Sequence, residues 1–224
     1  MDIATGLGNV LHWVLGACPS CGHLIGIDVA LAALRSARTA LTDRRVRLLA
    51  MDGAHLAMRD ASVDMVTLAY SLHHLPDVAG TLREAGRVLM PGGRLLIVEM
   101  HRDEALPSQA LHNDMHGWWA AVDTAVGVSH RRIYTRGQIL QFIAPLAMEE
   151  ITVIEDPGDE SQARDEEVLQ VYRKRFDTYA DKARGQVQYE SLVARGQELK
   201  ARMLQTGCSL PRAVIVTARK PREG

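Results

Sequence analysis

The sequence predicts an α/β domain built on a mostly parallel sheet with helices on both faces. Three observations carry this. Over the first 100 residues short apolar runs alternate with helical patterns, as parallel strands joined by crossover helices require. The runs are nearly unbroken rather than alternating, which suits strands covered on both sides. Apolar residues make up 47% of the 224 and charged residues 24%, a globular balance that excludes wholesale disorder.

Taken in order, Asp2-Ile3-Ala4 ends a very short first strand, and Asn9 to Ala17 places Val10, Leu11, Val14 and Leu15 on one helix face. Past the turn Pro19 to Gly22, His23 to Asp28 is a buried-type strand, and Val29 to Leu41 has strong helix propensity. Val46 to Met51 and Val63 to Ala69 are strands three and four. A helix from Val78 to Met90 is expected to stop at Pro91-Gly92-Gly93, with Arg94 to Met100 as strand five. Thr135 is placed to cap a helix ending at Ile143, and late strands run over Met148 to Glu155 and Ala213 to Arg219. Between the late strands, Leu169, Tyr172, Phe176, Tyr179 and Ala183, then Leu192, Leu199 and Met203, recur at helical spacing on either side of Gly185. The chain therefore divides into a core, 1–158 with 208–224, and a helical insertion, 159–207.

Charge narrows the partners. Lys plus Arg count 26 against 27 Asp plus Glu, so the chain has no overall attraction for phosphate backbones or anionic lipid. The insertion carries nine charges of each sign and is no nucleic-acid arm. No run of 18 apolar residues is present, so no membrane span is expected. Leu15-Gly16-Ala17-Cys18 has the form of a lipoprotein cleavage site, but the first Lys or Arg is Arg35, and a signal peptide needs a basic leading region. A cytoplasmic location is expected.

Three cysteines are an odd number for a disulfide framework and fit a reducing compartment. Cys18-Pro-Ser-Cys21 is half of a zinc ribbon, but only Cys208 remains, so a Pro/Gly turn is expected there. His112 and His116 flank Asp114 on one helix, three ligands without a fourth, and no metal site is expected.

The chemistry centres on Asp2-Ile3-Ala4-Thr5-Gly6-Leu7-Gly8-Asn9, where a strand turns into a helix. Gly6 and Gly8 remove side chains so that a ligand can approach the backbone at a helix start. Asp28 closes the second strand, where a carboxylate can accept both hydroxyls of a ribose. Asp52 closes the third, and with the backbone N–H of Gly53 it can read the amino edge of adenine. All three features fall at the carboxyl ends of strands, where such sheets bind ligands. A dinucleotide fingerprint would need a third glycine at position 11, which is Leu11.

These residues, with Asp64-Met65-Val66-Thr67, Ser71-Leu72-His73-His74-Leu75-Pro76-Asp77 and Arg87-Val88-Leu89-Met90-Pro91-Gly92-Gly93-Arg94, resemble a class I S-adenosylmethionine-dependent methyltransferase. The pattern is most similar to the branch of the ubiquinone and menaquinone C-methyltransferases and their small-molecule relatives. The resemblance is dense over residues 1 to about 100 and returns only at the closing strands. It implies a Rossmann-like sheet of seven strands, the last antiparallel. It also implies that S-adenosylmethionine is held by Gly6 and Gly8 at its methionine end, with Asp2 and the Tyr70 carbonyl on its amino group. Asp28 would take the ribose, and Asp52 and Gly53 the adenine. His73 and His74 would face a small-molecule methyl acceptor; they are the first candidates for a base, with His116 a third catalytic candidate that could line the acceptor pocket.

Two departures qualify the match. Relatives often carry Gly where this chain has Ala4, a change expected to be mild. The chain also begins inside the first motif, where relatives have an upstream segment that completes strand one and covers the substrate. The expectation is that 101–134 and 159–207 form a lid in its place; the alternative is a hairpin that stabilises or forms a homodimer. O- or C-methylation of a phenol, quinone or polyketide-like ring is the leading reading. The Asn/Asp-Pro-Pro-aromatic signature of nucleobase and glutamine methylases is absent after strand four. A non-catalytic cofactor-binding module and a nicotinamide oxidoreductase are the competitors; Leu11 and the lack of a Tyr-x-x-x-Lys pattern count against the second.

Overall fold

The computed structural model describes residues 1–161 and 163–222. Gln162, inside the predicted insertion, and 223–224, at the end of the predicted core, lie outside the described residues. Seven strands form one sheet: β1 (Asp2–Ile3), β2 (Leu24–Asp28), β3 (Val46–Ala50), β4 (Val63–Ala69), β5 (Leu89–Met100), β6 (Glu149–Asp156) and β7 (Ala213–Arg219). Their order is β3-β2-β1-β4-β5-β7-β6, and only β7 runs antiparallel to its neighbours. The Rossmann-like sheet with an antiparallel last strand is as expected. β1 is the pivot: Asp2 pairs with Gly26 on one side and Thr67 on the other. The chain crosses from the β3 edge back over β1 to begin β4, and that reversal opens a crevice at the strand tips.

Helices α1 (Asn9–Ala17), α2 (Leu31–Ala40), α3 (Val78–Val88) and α5 (Arg136–Ile143) flank the sheet. Asp77 caps α3, its carboxylate accepting from Gly80 N at 2.8 Å, and Thr135 caps α5 by accepting from Gln138 N at 3.1 Å. The main core lies between the sheet and α3 and α5, with Ile27, Val66, Leu82, Val88, Ile97, Ile139 and Val214 all buried. A smaller core under α1 and α2 holds Leu11, Leu24, Leu41 and Val46. A Cβ on Gly26 would meet Leu11 Cδ1 at 2.8 Å. The small residue that lets helix and strand approach thus sits on the strand, and a leucine fills the place of a dinucleotide motif's third glycine.

Two boundaries differ from expectation. α3 ends at Val88, not Met90, and β5 begins at Leu89, which pairs with Val63 before the register breaks and resumes at Met65 and Arg94. Pro91 disfavours helical backbone at Met90, so Pro91-Gly92-Gly93 becomes an irregularity inside the strand rather than a turn before it. Coverage on both faces is incomplete: Ile151 and Ile154 of β6 are exposed, as are Leu49 of β3 and Met65 of β4. The cysteine reading is corrected as well: Cys18 and Cys21 form a disulfide across the Pro19 turn, their Cα atoms 5.4 Å apart. A pair three residues apart closes locally whatever the total count, and Cys208 is left as a buried free thiol.

A second hydrophobic core lies away from the sheet. It joins α4 (Pro107–Ala125) to α6 (Glu166–Tyr179), the short 3-10 segment Ala180–Ala183 and α7 (Tyr189–Thr206). Leu169, Phe176, Ala183, Leu192, Leu199 and Met203 from the predicted stripes are buried against Leu111, Met115, Trp118 and Trp119 of α4. Trp118 Nε1 donates to the Leu192 carbonyl at 2.8 Å, and a Cβ on Gly196 would strike the same ring at 2.6 Å. The stretch predicted to be rich in His and Trp is thus largely one helix, and it is the partner that buries the amphipathic pair.

Candidate functional site: a carboxylate-edged cavity backed by histidines

A cavity of about 530 Å³ opens at the tips of β1 to β4. Asp2, Gly6, Asp28, Asp52, Gly53 and Tyr70 all line it, as does His74. Gly8 does not. Its φ is +83°, and a Cβ there would lie 2.5 Å from Leu41 Cδ1, so this glycine serves the turn and the small core behind it. A Cβ on Gly6, at φ +52°, would meet nothing within 4 Å, so this residue leaves its backbone bare toward the cavity.

Asp28 organises this loop. Its Oδ2 accepts from Gly6 N and its Oδ1 from Ala30 N, both at 2.8 Å. Each oxygen keeps lone-pair capacity for a further donor. Asp52 is more exposed; its carboxylate accepts from Ala54 N at 2.9 Å and meets His55 Nδ1 at 3.1 Å, and these bonds hold its pKa below the ordinary range. Gly53 is buried, and a Cβ there would sit 2.7 Å from Ile3 Cγ2, so its glycine is demanded by packing.

Asp2 is 2% exposed and accepts from Thr67 Oγ1 at 2.6 Å. Burial pushes its pKa up, against the pull of its hydrogen bonds. A ligand cation beside it would relieve that cost. Thr5 and Ser71, also in the wall, have buried hydroxyls without a partner among the described residues. A bare turn, a desolvated carboxylate, two unsatisfied hydroxyls and a ribose-spaced acid suit a cationic amino acid joined to a nucleoside. Two wall residues hold left-handed backbone without being glycine: Ala4 at φ +55° and Tyr70 at φ +51°. Strain of this kind collects at binding sites. The Ala4 departure is therefore less mild than the sequence implied, because glycine would adopt that conformation freely.

The three candidate catalytic histidines separate. His74 is in the cavity wall, whereas His73 and His116 are buried behind it and line no part of it. His74 packs its ring 4.3 Å from His73 and 4.2 Å from His130, centroid to centroid. Desolvation, then His73 and His130, push its pKa down to about 3. His116, through burial and its histidine neighbours, is lowered to about 2. His73 is held by Glu99, a fully buried carboxylate that takes His73 Nδ1 at 3.0 Å, Leu72 N at 2.7 Å and Met100 N at 3.0 Å. His130 is held by Asp123 at 2.7 Å, and Asp123 also takes Tyr179 Oη at 2.7 Å and Lys182 Nζ at 3.1 Å. Burial alone would raise the Asp123 pKa; those three bonds together bring it below the ordinary range.

The set His112, Asp114 and His116 does not assemble. Asp114 turns to Arg202 at 2.8 Å, and His112 lies beside Tyr172 Oη at 3.4 Å and Cys208 Sγ at 3.8 Å. Burial, then Arg175, lowers the His112 pKa to about 4. Glu99, Asp123 and His130 were not singled out in the sequence. No short motif links them: they come from a strand end, a helix end and a loop.

Residues 1–97 match a methyltransferase domain. The chain is 31% identical over 123 residues to the demethylmenaquinone methyltransferase of Lactiplantibacillus plantarum, covering 53% of this chain and 50% of that protein. The chain spans about half the length of the curated relatives it matches. Its fold is shared with an S-adenosylmethionine-dependent methyltransferase from Mesorhizobium loti, with a TM-score of 0.58 at 19% identity, over 98% of this chain and 89% of that one. It is also shared with Haemonchus contortus phosphoethanolamine N-methyltransferase 2 in complex with phosphomonomethylethanolamine and S-adenosylhomocysteine. There the TM-score is 0.61 at 19% identity, over 99% of this chain and 48% of that one. The methyltransferase signature ends near β5, so the helical body of α4, α6 and α7 lies outside the matched segment.

Proposed function

We propose that this chain transfers a methyl group from S-adenosylmethionine to a small organic acceptor. The observation that carries the reading is the convergence of Asp2, Gly6, Asp28, Asp52 and Tyr70 from four strand tips into one cavity. The cofactor supplies an activated sulfonium methyl. Asp28 would bind its ribose hydroxyls with its free lone pairs, Asp52 and the Gly53 backbone its adenine, and Asp2 and the Tyr70 carbonyl its amino group. Gly6 would give the methionine end close access to the loop. The residues' main contribution is alignment in a site from which water is excluded, an effect that supplies about 7–11 kcal/mol in favourable cases.

His74 is the histidine placed to meet the acceptor. A ring held near 3 is too weak a base to draw a reluctant proton at neutral pH, since general bases work best with a pKa near the operating pH. It would instead orient the acceptor by accepting a hydrogen bond. This favours acceptors whose proton is already acidic, a phenol or quinol, over unactivated alcohols. His73 and His116 act from behind it as positioning residues. The helical body of α4, α6 and α7 reaches the cavity through these histidines, in keeping with a cover for the acceptor. No helix among the described residues is long and apolar enough to cross a membrane, and the charge balance supports no nucleic-acid substrate.

Calorimetric titration with S-adenosylmethionine, S-adenosylhomocysteine and NAD tests the cofactor, and turnover with pooled phenolic and quinol acceptors tests the transfer. Binding of the sulfur cofactors without NAD binding, together with a methylated product, is expected. Cofactor binding with no product from any acceptor pool would turn the reading to a binding module.

A further inference from the structure

Among the described residues, one group of three metal-ligating side chains comes together, and it lies outside the cofactor cavity. His73 comes from the 3-10 turn after β4, His116 from the middle of α4 and His130 from the loop that follows α4. They are 1%, 4% and 7% exposed. The ring nitrogen that each offers lies within 4.8 Å of the other two, and the Nε2 atoms of His116 and His130 are 3.4 Å apart. That separation is long for a hydrogen bond between neutral rings, whose usual distance is about 2.9–3.0 Å. It matches two nitrogens at about 2.0–2.1 Å from one tetrahedral ion, which sit about 3.4 Å from each other.

The surroundings have the form of a metal site's outer shell. Glu99 takes Nδ1 of His73 and Asp123 takes Nδ1 of His130, leaving each ring an Nε2 lone pair. Carboxylates placed in this way fix the tautomer and aim of ligating histidines. Both carboxylates are anchored in turn, Glu99 by the amides of Leu72 and Met100, Asp123 by Tyr179 and Lys182. Packing alone gives no reason to gather four imidazoles, His74 included, around two buried acids. We propose that His73, His116 and His130 ligate one divalent first-row transition ion, with Zn²⁺ as the best match and a fourth position left for water or an oxygen ligand.

Three neutral imidazoles suit Zn²⁺, Co²⁺, Ni²⁺ or Fe²⁺ and disfavour the oxygen-seeking Mg²⁺ and Ca²⁺. Three protein ligands with one open position is the catalytic rather than the closed structural arrangement. The cluster lies directly behind His74, a wall residue of the cavity. The proposal rests on the geometry behind that wall and does not depend on the methyl-transfer reading.

The site itself stands apart from that reading and is tested without cofactor or acceptor. The full chain is stripped with a chelator, titrated with Co²⁺ and followed in the visible range, then back-titrated with Zn²⁺ against a chromophoric chelator. One equivalent of Co²⁺ with the strong bands of a tetrahedral nitrogen site, displaced by Zn²⁺, is expected. His116→Gln and His130→Gln should each weaken Zn²⁺ at least 100-fold, and Asp123→Asn, which touches no ion, about 10–100-fold. Replacing the exposed His23 should leave Zn²⁺ affinity unchanged. X-ray absorption on the zinc-loaded wild-type chain, which needs no variant to fold, should count three imidazoles. Co²⁺ bound without tetrahedral bands, a His116→Gln chain that binds Zn²⁺ within threefold of wild type, or absorption showing other than three imidazoles would overturn the proposal.

Discussion

The two halves of the site are built on opposite principles. The cavity rim is made of residues from loops at the strand tips, contiguous in short motifs and half open to solvent, with Asp28 and Asp52 satisfied mainly by backbone amides, two of the three only two residues away. The histidine cluster is buried, assembled from segments as far apart as β4 and the loop after α4, and satisfied by side chains 26 residues distant in one case, His73 on Glu99. A rim of this kind can rearrange around a ligand at little cost to the fold. A cluster of that kind is part of the fold, because it joins the sheet to the second core.

The contrast can be broken at its strongest point first. Glu99→Ala removes a carboxylate that is 0% exposed and satisfies three donors, so it should cost about 4 kcal/mol of stability in urea unfolding with chelator present. A loss under 1 kcal/mol would show that the cluster does not tie the two cores together. Asp28→Ala should do the reverse, lowering S-adenosylhomocysteine affinity about 100-fold by calorimetry while stability falls by less than half the Glu99→Ala loss. Unaltered nucleoside affinity there would remove the basis of the cavity assignment.

The helical body offers a sharper test through pH. His112 is held neutral when folded, with a pKa of about 4, while the unfolded ring titrates near its ordinary value of 6.5. Below 6.5 the unfolded chain binds a proton that the folded chain refuses, so stability is full above that pH and declines from 6.5 toward 4. The expected loss is up to about 3 kcal/mol. It should be read as unfolding midpoints at pH 7 and pH 4.5 and should shrink in His112→Asn; an equal pH slope in the variant would place the titration elsewhere. Smallest of all, Ala4→Gly should stabilise the chain by up to about 1 kcal/mol, because it removes a side chain from left-handed backbone at φ +55°. A lowered melting temperature would mean that Ala4 makes contacts worth more than its strain.

Reading the chain without its fold found most of the rim and little of the cluster. Asp2, Gly6, Asp28, Asp52, Gly53 and Tyr70 each lie in the last two residues of a strand or within three residues after it, and a parallel sheet brings its strand ends to one edge whatever else the chain does. Gly8 stands apart from the cavity lining, and a Cβ there would strike Leu41. His73 and His116 were noticed as residues but not as neighbours. His130, Glu99 and Asp123 carried no local sign at all.

Sequence alone determined the strand and helix pattern, the amphipathic faces of α6 and α7, and the acids at the tips of β2 and β3, because each depends on periodicity or on neighbours a few residues away. Only the tertiary structure decided that α4 is what buries those faces, that Gly26 rather than position 11 admits the first helix, and that three distant imidazoles meet between two anchored acids. Such meetings depend on how helices dock on a sheet, and docking is set by the summed packing of many side chains, which no short stretch of sequence encodes.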